Sequence, residues 1–386
     1  MKPHRLLPAL IPFVLATATA VAQVPADLEA KLLKIGQIVD PGCTAKLYRP
    51  LMPANDINSE VTPLYPGFAI ARDVSFGSNA KDVVDIFSPE KGGGGRTVLM
   101  YIPGGAGNKI EQQVREGNAF YDNIGRWGVK NNMVVVLMQR HPGPNWDDPA
   151  KDVSSMIQWV EANISKYKGN PDRMFIWAQS AGNGPLGTYI GHPELYGPKG
   201  VGVKGAIFMS GQFNILPLNP QNPQPPGGAF GSTGSTCDGP PQGVSLGIIK
   251  GPSAADPGPA GARGGAGRGD GARTGRADGK GKGDGKGRGG APQVDPAVQL
   301  SRSSLPELKK TKVALLFATA ELDPGINGAM APFFQTLHDE LCKEGKEHCP
   351  AMLFEKGESH MSEVFSIDTP DVTVSKPILE WIKKVK

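Results

Sequence analysis

The chain has 386 residues, 39% of them hydrophobic and 20% charged, with 52 Gly, 36 Pro and four Cys. That apolar share is enough for a packed core and excludes a wholly disordered or fibrous chain. The formal charge of +4 at pH 7 is local, because residues 251–292 hold eight Lys/Arg against four Asp, and Lys2 and Arg5 add two more cations. The rest is slightly acidic, so a basic nucleic-acid-binding face is not indicated.

Lys2, His4 and Arg5 precede a mostly apolar run, Leu6 to Val21, that ends on Ala20-Val21-Ala22. This pattern predicts a signal peptide over residues 1–22 and an exported, periplasmic or secreted, protein beginning near Gln23. Pro8 and Pro12 interrupt the run and it is short for a spanning helix, so no stable membrane insertion is expected. An oxidising compartment suits the cysteines. Closeness in sequence predicts a disulfide between Cys342 and Cys349, leaving Cys43 to pair with Cys237 by elimination. No CxxC pair or Cys/His cluster with metal-ligand spacing occurs, so neither metal nor organic cofactor is expected.

Short β-rich apolar runs follow at Ala69–Phe76, Val83–Ser88, Thr97–Ile102, Met133–Met138, Met174–Ala178, Gly205–Met209, Val313–Ala318 and Ala351–Phe354. Helical stretches such as Val153–Tyr167 and Phe333–Leu341 lie between the later ones. Strand and helix in alternation predict an α/β fold with a mostly parallel central sheet, helices on both faces, and the first two strands as an antiparallel pair at its edge. The core divides into residues 23–216 and 301–386. Between them, residues 217–300 are Pro/Gly-rich, and such a composition cannot bury enough apolar area to offset its ordering entropy, so a largely disordered insert is predicted.

Three segments carry chemistry where such strands run into loops, the place open α/β sheets bind ligands. In the first, Arg173 to Gln179 forms a strand that ends on Ser180, with Ala178 and Gly182 as small residues two before and two after. A serine at a tight strand-to-helix turn is pushed outward as a nucleophile, and small neighbours allow the close approach. In the second, Val98–Ile102 empties into Pro103-Gly104-Gly105-Ala106-Gly107, a loop whose backbone N–H groups can stabilise an oxyanion. The donors expected by position are Gly105 or Ala106 together with Ala181, with Gly104 as a substitute. No Lys-Ser/Thr follows these glycines, which excludes a phosphate loop.

The third segment supplies the base. Among six histidines only His360 follows a late core strand, in Gly357-Glu358-Ser359-His360, and a base placed last in the chain fits the order nucleophile, acid, histidine. Between them, Ala320-Glu321-Leu322-Asp323-Pro324 offers two carboxylates. Asp323 is the expected acid, because Pro324 makes it a loop residue and a short carboxylate suits orienting an imidazole; Glu321 is the alternative.

These segments, with Trp159-Val160-Glu161-Ala162-Asn163-Ile164 and Gly169-Asn170-Pro171-Asp172-Arg173, resemble the bacterial carboxylesterases related to hormone-sensitive lipase. The resemblance covers about residues 65–215 and 310–386. It implies an α/β-hydrolase fold and a serine hydrolase cleaving carboxylic esters through Ser180, Asp323 and His360 and an acyl-enzyme, with a small-molecule ester as the partner. Two departures stand out. Pro103 replaces the histidine that opens the family's His-Gly-Gly-Gly oxyanion loop, so stiffness of the proline would have to hold the loop, and Ala178 replaces the first glycine of the nucleophile turn. The alternatives are an amidase or formamidase with the same triad, and a non-catalytic binding protein on the same fold. No residue pattern sets an oligomeric state.

Overall fold

The computed structural model describes residues 24–52, 65–105, 119–141, 143, 145–211, 237, 296–328 and 330–386. The expected signal peptide, almost all of the 217–300 insert, and Ala106 lie outside the described residues.

Eight strands form one sheet: β1 (Phe68–Ser75), β2 (Val83–Pro89), β3 (Arg96–Ile102), β4 (Val134–Met138), β5 (Gly169–Gln179), β6 (Gly205–Met209), β7 (Ala314–Ala320) and β8 (Ala351–Glu355). Their order is β1-β2-β4-β3-β5-β6-β7-β8. The first two strands pair antiparallel, β2 joins β4 antiparallel, and every later pairing is parallel. The expected edge pair and parallel centre are therefore both present, with strand ends moved by one to a few residues. The helices are α1 (Ala26–Ile35), α2 (Pro41–Tyr48), α3 (Asp122–Lys130), α4 (Asp148–Asn163), α5 (Asn183–Ile190), α6 (Pro296–Ser301), α7 (Leu305–Leu308), α8 (Met330–Leu341), α9 (Ser362–Phe365) and α10 (Ser375–Lys384).

Strand side chains alternate faces, and here both faces are covered, so the central strands read as continuous apolar runs. Leu99, Tyr101, Val135, Leu137, Phe175 and Trp177 pack towards α1, α2, α3 and α10. Val98, Met100, Val134, Val136, Met174 and Ile176 pack towards α4, α5 and α8. Val153, Met156, Ile157 and Val160 give α4 its buried stripe, at the three- and four-residue spacing of an amphipathic helix. This double cover buries β3 and β5 in the middle of the sheet.

The cysteines pair as Cys43–Cys237 and Cys342–Cys349, with Cα separations of 5.3 and 4.5 Å. No helix among the described residues is long and apolar enough to cross a membrane.

Candidate active site

Parallel pairing of β3, β5, β6, β7 and β8 brings the carboxyl ends of these strands to one side of the sheet, and the three segments singled out above meet there. At the end of β5, Ser180 has φ +52°, a left-handed conformation that costs a β-carbon-bearing residue roughly 1–3 kcal/mol and persists only when the surroundings enforce it. They do so through Asn183, which opens α5 and donates from Nδ2 to the carbonyls of Ser180 and Met209, both at 2.8 Å. Close approach completes the turn. A β-carbon on Gly182 would lie 2.7 Å from the Ile102 carbonyl oxygen, and one on Gly104 would lie 2.8 Å from the Ser180 β-carbon. Ala178, in contrast, fits: it is fully buried, in register with Ile102 and Phe208 of the neighbouring strands.

Ser180 Oγ lies 2.9 Å from His360 Nε2, and His360 Nδ1 lies 2.6 Å from Asp323 Oδ2. Asp323 sits in the turn after β7, where its second oxygen accepts from the backbone N–H groups of Gly325 at 2.8 Å and Asn327 at 3.1 Å. These donors fix the carboxylate in one orientation. Burial by itself would depress the His360 imidazolium, but the hydrogen bond to Asp323 and the charges of Glu363 and Asp323 outweigh it and hold the imidazole above its ordinary value. Glu321, the alternative acid, is exposed and is not brought to the imidazole; its Oε2 accepts from Gly357 N at 2.8 Å and so ties down the start of the His360 loop.

Gly104 and Gly105 border the serine from β3, with Gly104 buried against Gln179 and Ser180 and Gly105 exposed at φ +57°. Ala181, half-exposed, follows the serine. The loop is not held by Pro103 stiffness alone. Arg140, two residues beyond β4 and buried, donates from Nε to the Pro103 carbonyl at 3.3 Å and from Nη2 to the Gly105 carbonyl. Burial lowers this guanidinium to about 10, against the pull of Tyr121, which leaves it charged at neutral pH. The position of Arg140 is where the sequence reading fell short, although a lone arginine closing an apolar strand was a visible signal. Gln179 and Glu363 were also missed: Gln179 Nε2 donates to the His360 carbonyl at 3.0 Å and to Glu363 Oε1 at 2.9 Å.

Two groups of metal-ligand type occur among the described residues. In one, His338 stands beside Cys342 and Cys349, whose sulfurs are joined to each other. In the other, His141 Nε2 faces Asp82 at 3.0 Å and Asp152 at 3.3 Å.

The BD-FAE family model matches residues 84–192, from β2 through the serine to the end of α5. A thermostable esterase from Pseudomonas putida superposes with a TM-score of 0.52 at 12% identity, covering 94% of this chain and 98% of that one. Carboxyl esterase 2 of Tuber melanosporum gives 0.51 at 14%, covering 90% and 98%. The chain has the α/β-hydrolase fold. Over 126 residues the chain is 33% identical to a probable carboxylic ester hydrolase of Mycobacterium tuberculosis, a match covering 31% of the chain and 28% of that relative. Over 115 residues it is 26% identical to a probable isoprenylcysteine α-carbonyl methylesterase of Arabidopsis thaliana, covering 29% and 23%. The chain thus spans under a third of the length of these curated relatives.

Proposed function

We propose that this protein is an α/β-hydrolase and a serine carboxylesterase acting on small-molecule esters. The observation that carries the reading is the unbroken hydrogen-bonded chain from Ser180 Oγ through His360 to Asp323, placed at the carboxyl ends of the parallel strands with the serine at positive φ. His360 Nε2 takes the Ser180 proton as Oγ attacks the ester carbonyl, and the same proton is delivered to the departing alcohol. Asp323 fixes the imidazole tautomer and stabilises the imidazolium. Backbone N–H groups of Gly105 and Ala181 receive the oxyanion, with Ala106 as the further donor expected from its place in the loop. Water then enters by the same route and releases the acid. The carboxylic-ester-hydrolase names of the relatives support this class of bond. We propose in addition that the protein is exported, a reading supported by the two paired cysteine sets.

Arg140 acts here as a positioning residue: it holds the carbonyls of Pro103 and Gly105 so that the loop N–H groups face the oxyanion, the task a histidine performs in the resembling family. Arg140→Ala should lower kcat by roughly 10²-fold, the cost of a misplacement of about 1 Å, while KM changes little, because the contact matters chiefly in the transition state. Steady-state kinetics at a temperature where the variant is folded by circular dichroism measure this. An unchanged kcat would remove Arg140 from the mechanism.

The reading as a whole is tested with a panel of p-nitrophenyl acyl esters and the matching anilides. Hydrolysis of the short-chain esters with turnover well above that of the anilides is expected. Preference for the anilides would replace the ester reading with an amidase, and inertness towards both would leave a binding protein on a hydrolase fold.

A further inference from the structure

Behind His360 lies a set of carboxyl groups that the reaction scheme does not use. Glu355 ends β8, Glu358 stands in the loop before the histidine, Glu363 is in α9, and Asp371 precedes α10; all four are fully buried. Glu363 Oε1 lies 4.0 Å from His360 Nδ1. It accepts from the carboxamide of Gln179, the residue before the nucleophile, at 2.9 Å, and the Ser210 hydroxyl just after β6 favours its ionised form. One carboxylate therefore touches the supports of the nucleophile and also faces the base.

If every carboxyl were ionised, Glu363 Oε2, both oxygens of Glu355 and Glu358 Oε1 would be buried without a hydrogen-bond partner, at a cost no stable site sustains four times over. The same groups lie in pairs, Glu355 with Glu363 and Glu358 with Asp371. Two adjacent buried carboxyls do not both ionise, and one proton in each pair supplies the missing donor. In the second pair the proton belongs on Glu358, because Asp371 already accepts from Tyr48 Oη at 2.9 Å. In the first it belongs on Glu355, because Glu363 has His360 and Gln179 as partners. Burial and the neighbouring acids push Glu355 well above the carboxylate range, and burial pushes Glu363 up to about 7 against the pull of His360. The titratable groups around this pair are Tyr101 of β3, Asp323 after β7, Glu358 and His360 of the adjoining loop, and Asp371; Tyr48 of α2 faces Glu358 and Asp371.

We propose that Glu363 is a second carboxylate for His360, a positioning residue that holds the imidazolium together with Asp323, and that the proton shared between Glu355 and Glu363 sets the lower pH limit of activity. This rests on the triad reading above. The sign follows from charge. His360 must be neutral to accept the Ser180 proton, and a carboxylate 4.0 Å away favours its protonated form, so an ionised Glu363 raises the pH at which the base becomes available while stabilising the imidazolium formed in the transition state.

The test is the pH dependence of kcat/KM for p-nitrophenyl acetate, with wild type, Glu363→Gln and Glu355→Gln compared. Glu363→Gln removes the charge and keeps the Gln179 contact, so its acid limb should move about one pH unit lower and its plateau kcat should fall about tenfold. Glu355→Gln removes the shared proton but still donates a hydrogen bond to Glu363, which then stays ionised to lower pH; its acid limb should move in the opposite direction. A Glu363→Gln acid limb that coincides with wild type while kcat falls would show a merely structural role and overturn the proposal. If Glu363→Gln does not fold, the Glu355→Gln shift decides alone, and an unmoved or lowered limb overturns the proposal. Inactivity of the wild type towards the ester would instead bring down the esterase reading itself.

Discussion

Ser180→Ala and His360→Ala should each lower kcat for a short-chain ester by about 10⁴–10⁶-fold, and the double variant should be hardly worse than either single one. The reason is the geometry. Ser180 Oγ has a base at 2.9 Å, and a serine hydroxyl without a base, or a base without the hydroxyl, performs none of the acyl transfer. The residual rate would come from the backbone N–H groups that polarise the ester carbonyl. Both variants should stay folded, because the turn is held by Asn183 bonds to the carbonyls of Ser180 and Met209 rather than by the Ser180 side chain. Single-turnover kinetics with thermal melts on the same samples measure both properties. Near-native turnover by either variant would end the assignment of nucleophile and base.

Asp323→Asn and Glu321→Gln should separate by orders of magnitude. The Asp323 carboxylate accepts from His360 at 2.6 Å and from two backbone N–H groups, so an asparagine there either presents its amide nitrogen to a ring nitrogen that must carry a proton or breaks its bonds to Gly325 and Asn327. Loss of the correct tautomer costs about 10⁴-fold in kcat. Glu321 touches Gly357 N and not the imidazole, so a glutamine, which keeps a carbonyl oxygen for that bond, should change kcat only a fewfold. A severe Glu321→Gln with a mild Asp323→Asn would transfer the acid role to Glu321.

How much of this was legible beforehand depends on how locally each feature is encoded. Strands such as Gly205–Met209 declare themselves by continuous apolar β-branched and aromatic residues, since the helices that cover both faces of the sheet leave no polar alternation. Ser180, Asp323 and His360 could be singled out because each follows such a strand. Their meeting could not be read from spacing, because 143 residues separate Ser180 from Asp323 and only the parallel register of β5, β6 and β7 brings them together.

The roles of the supporting groups were hard to read for a physical reason. Arg140 and Gln179 act on backbone carbonyls, Pro103 and Gly105 in one case and His360 in the other, and carbonyl acceptors leave no trace in side-chain identity. Pro103 seemed to need rigidity because the bracing group arrives from the segment after β4, 37 residues away in sequence. Glu355, Glu358 and Glu363 look like ordinary charged residues of a polar loop, and only tertiary burial turns them into a hydrogen-bonded acid network. The signal-peptide and insert expectations rest on composition and fall outside the described residues.

An activated Ser180 reacts covalently with a fluorophosphonate whatever the natural substrate, because the reagent needs only the nucleophile and its base. Wild type and Ser180→Ala are treated with a fluorophosphonate and analysed by intact mass and peptide mapping. One stoichiometric adduct on Ser180 is expected in the wild type, slowed at low pH as His360 becomes protonated, and none in Ser180→Ala. Wild-type labelling no faster than that of Ser180→Ala, or an adduct mapped to another residue, would contradict Ser180 as the nucleophile.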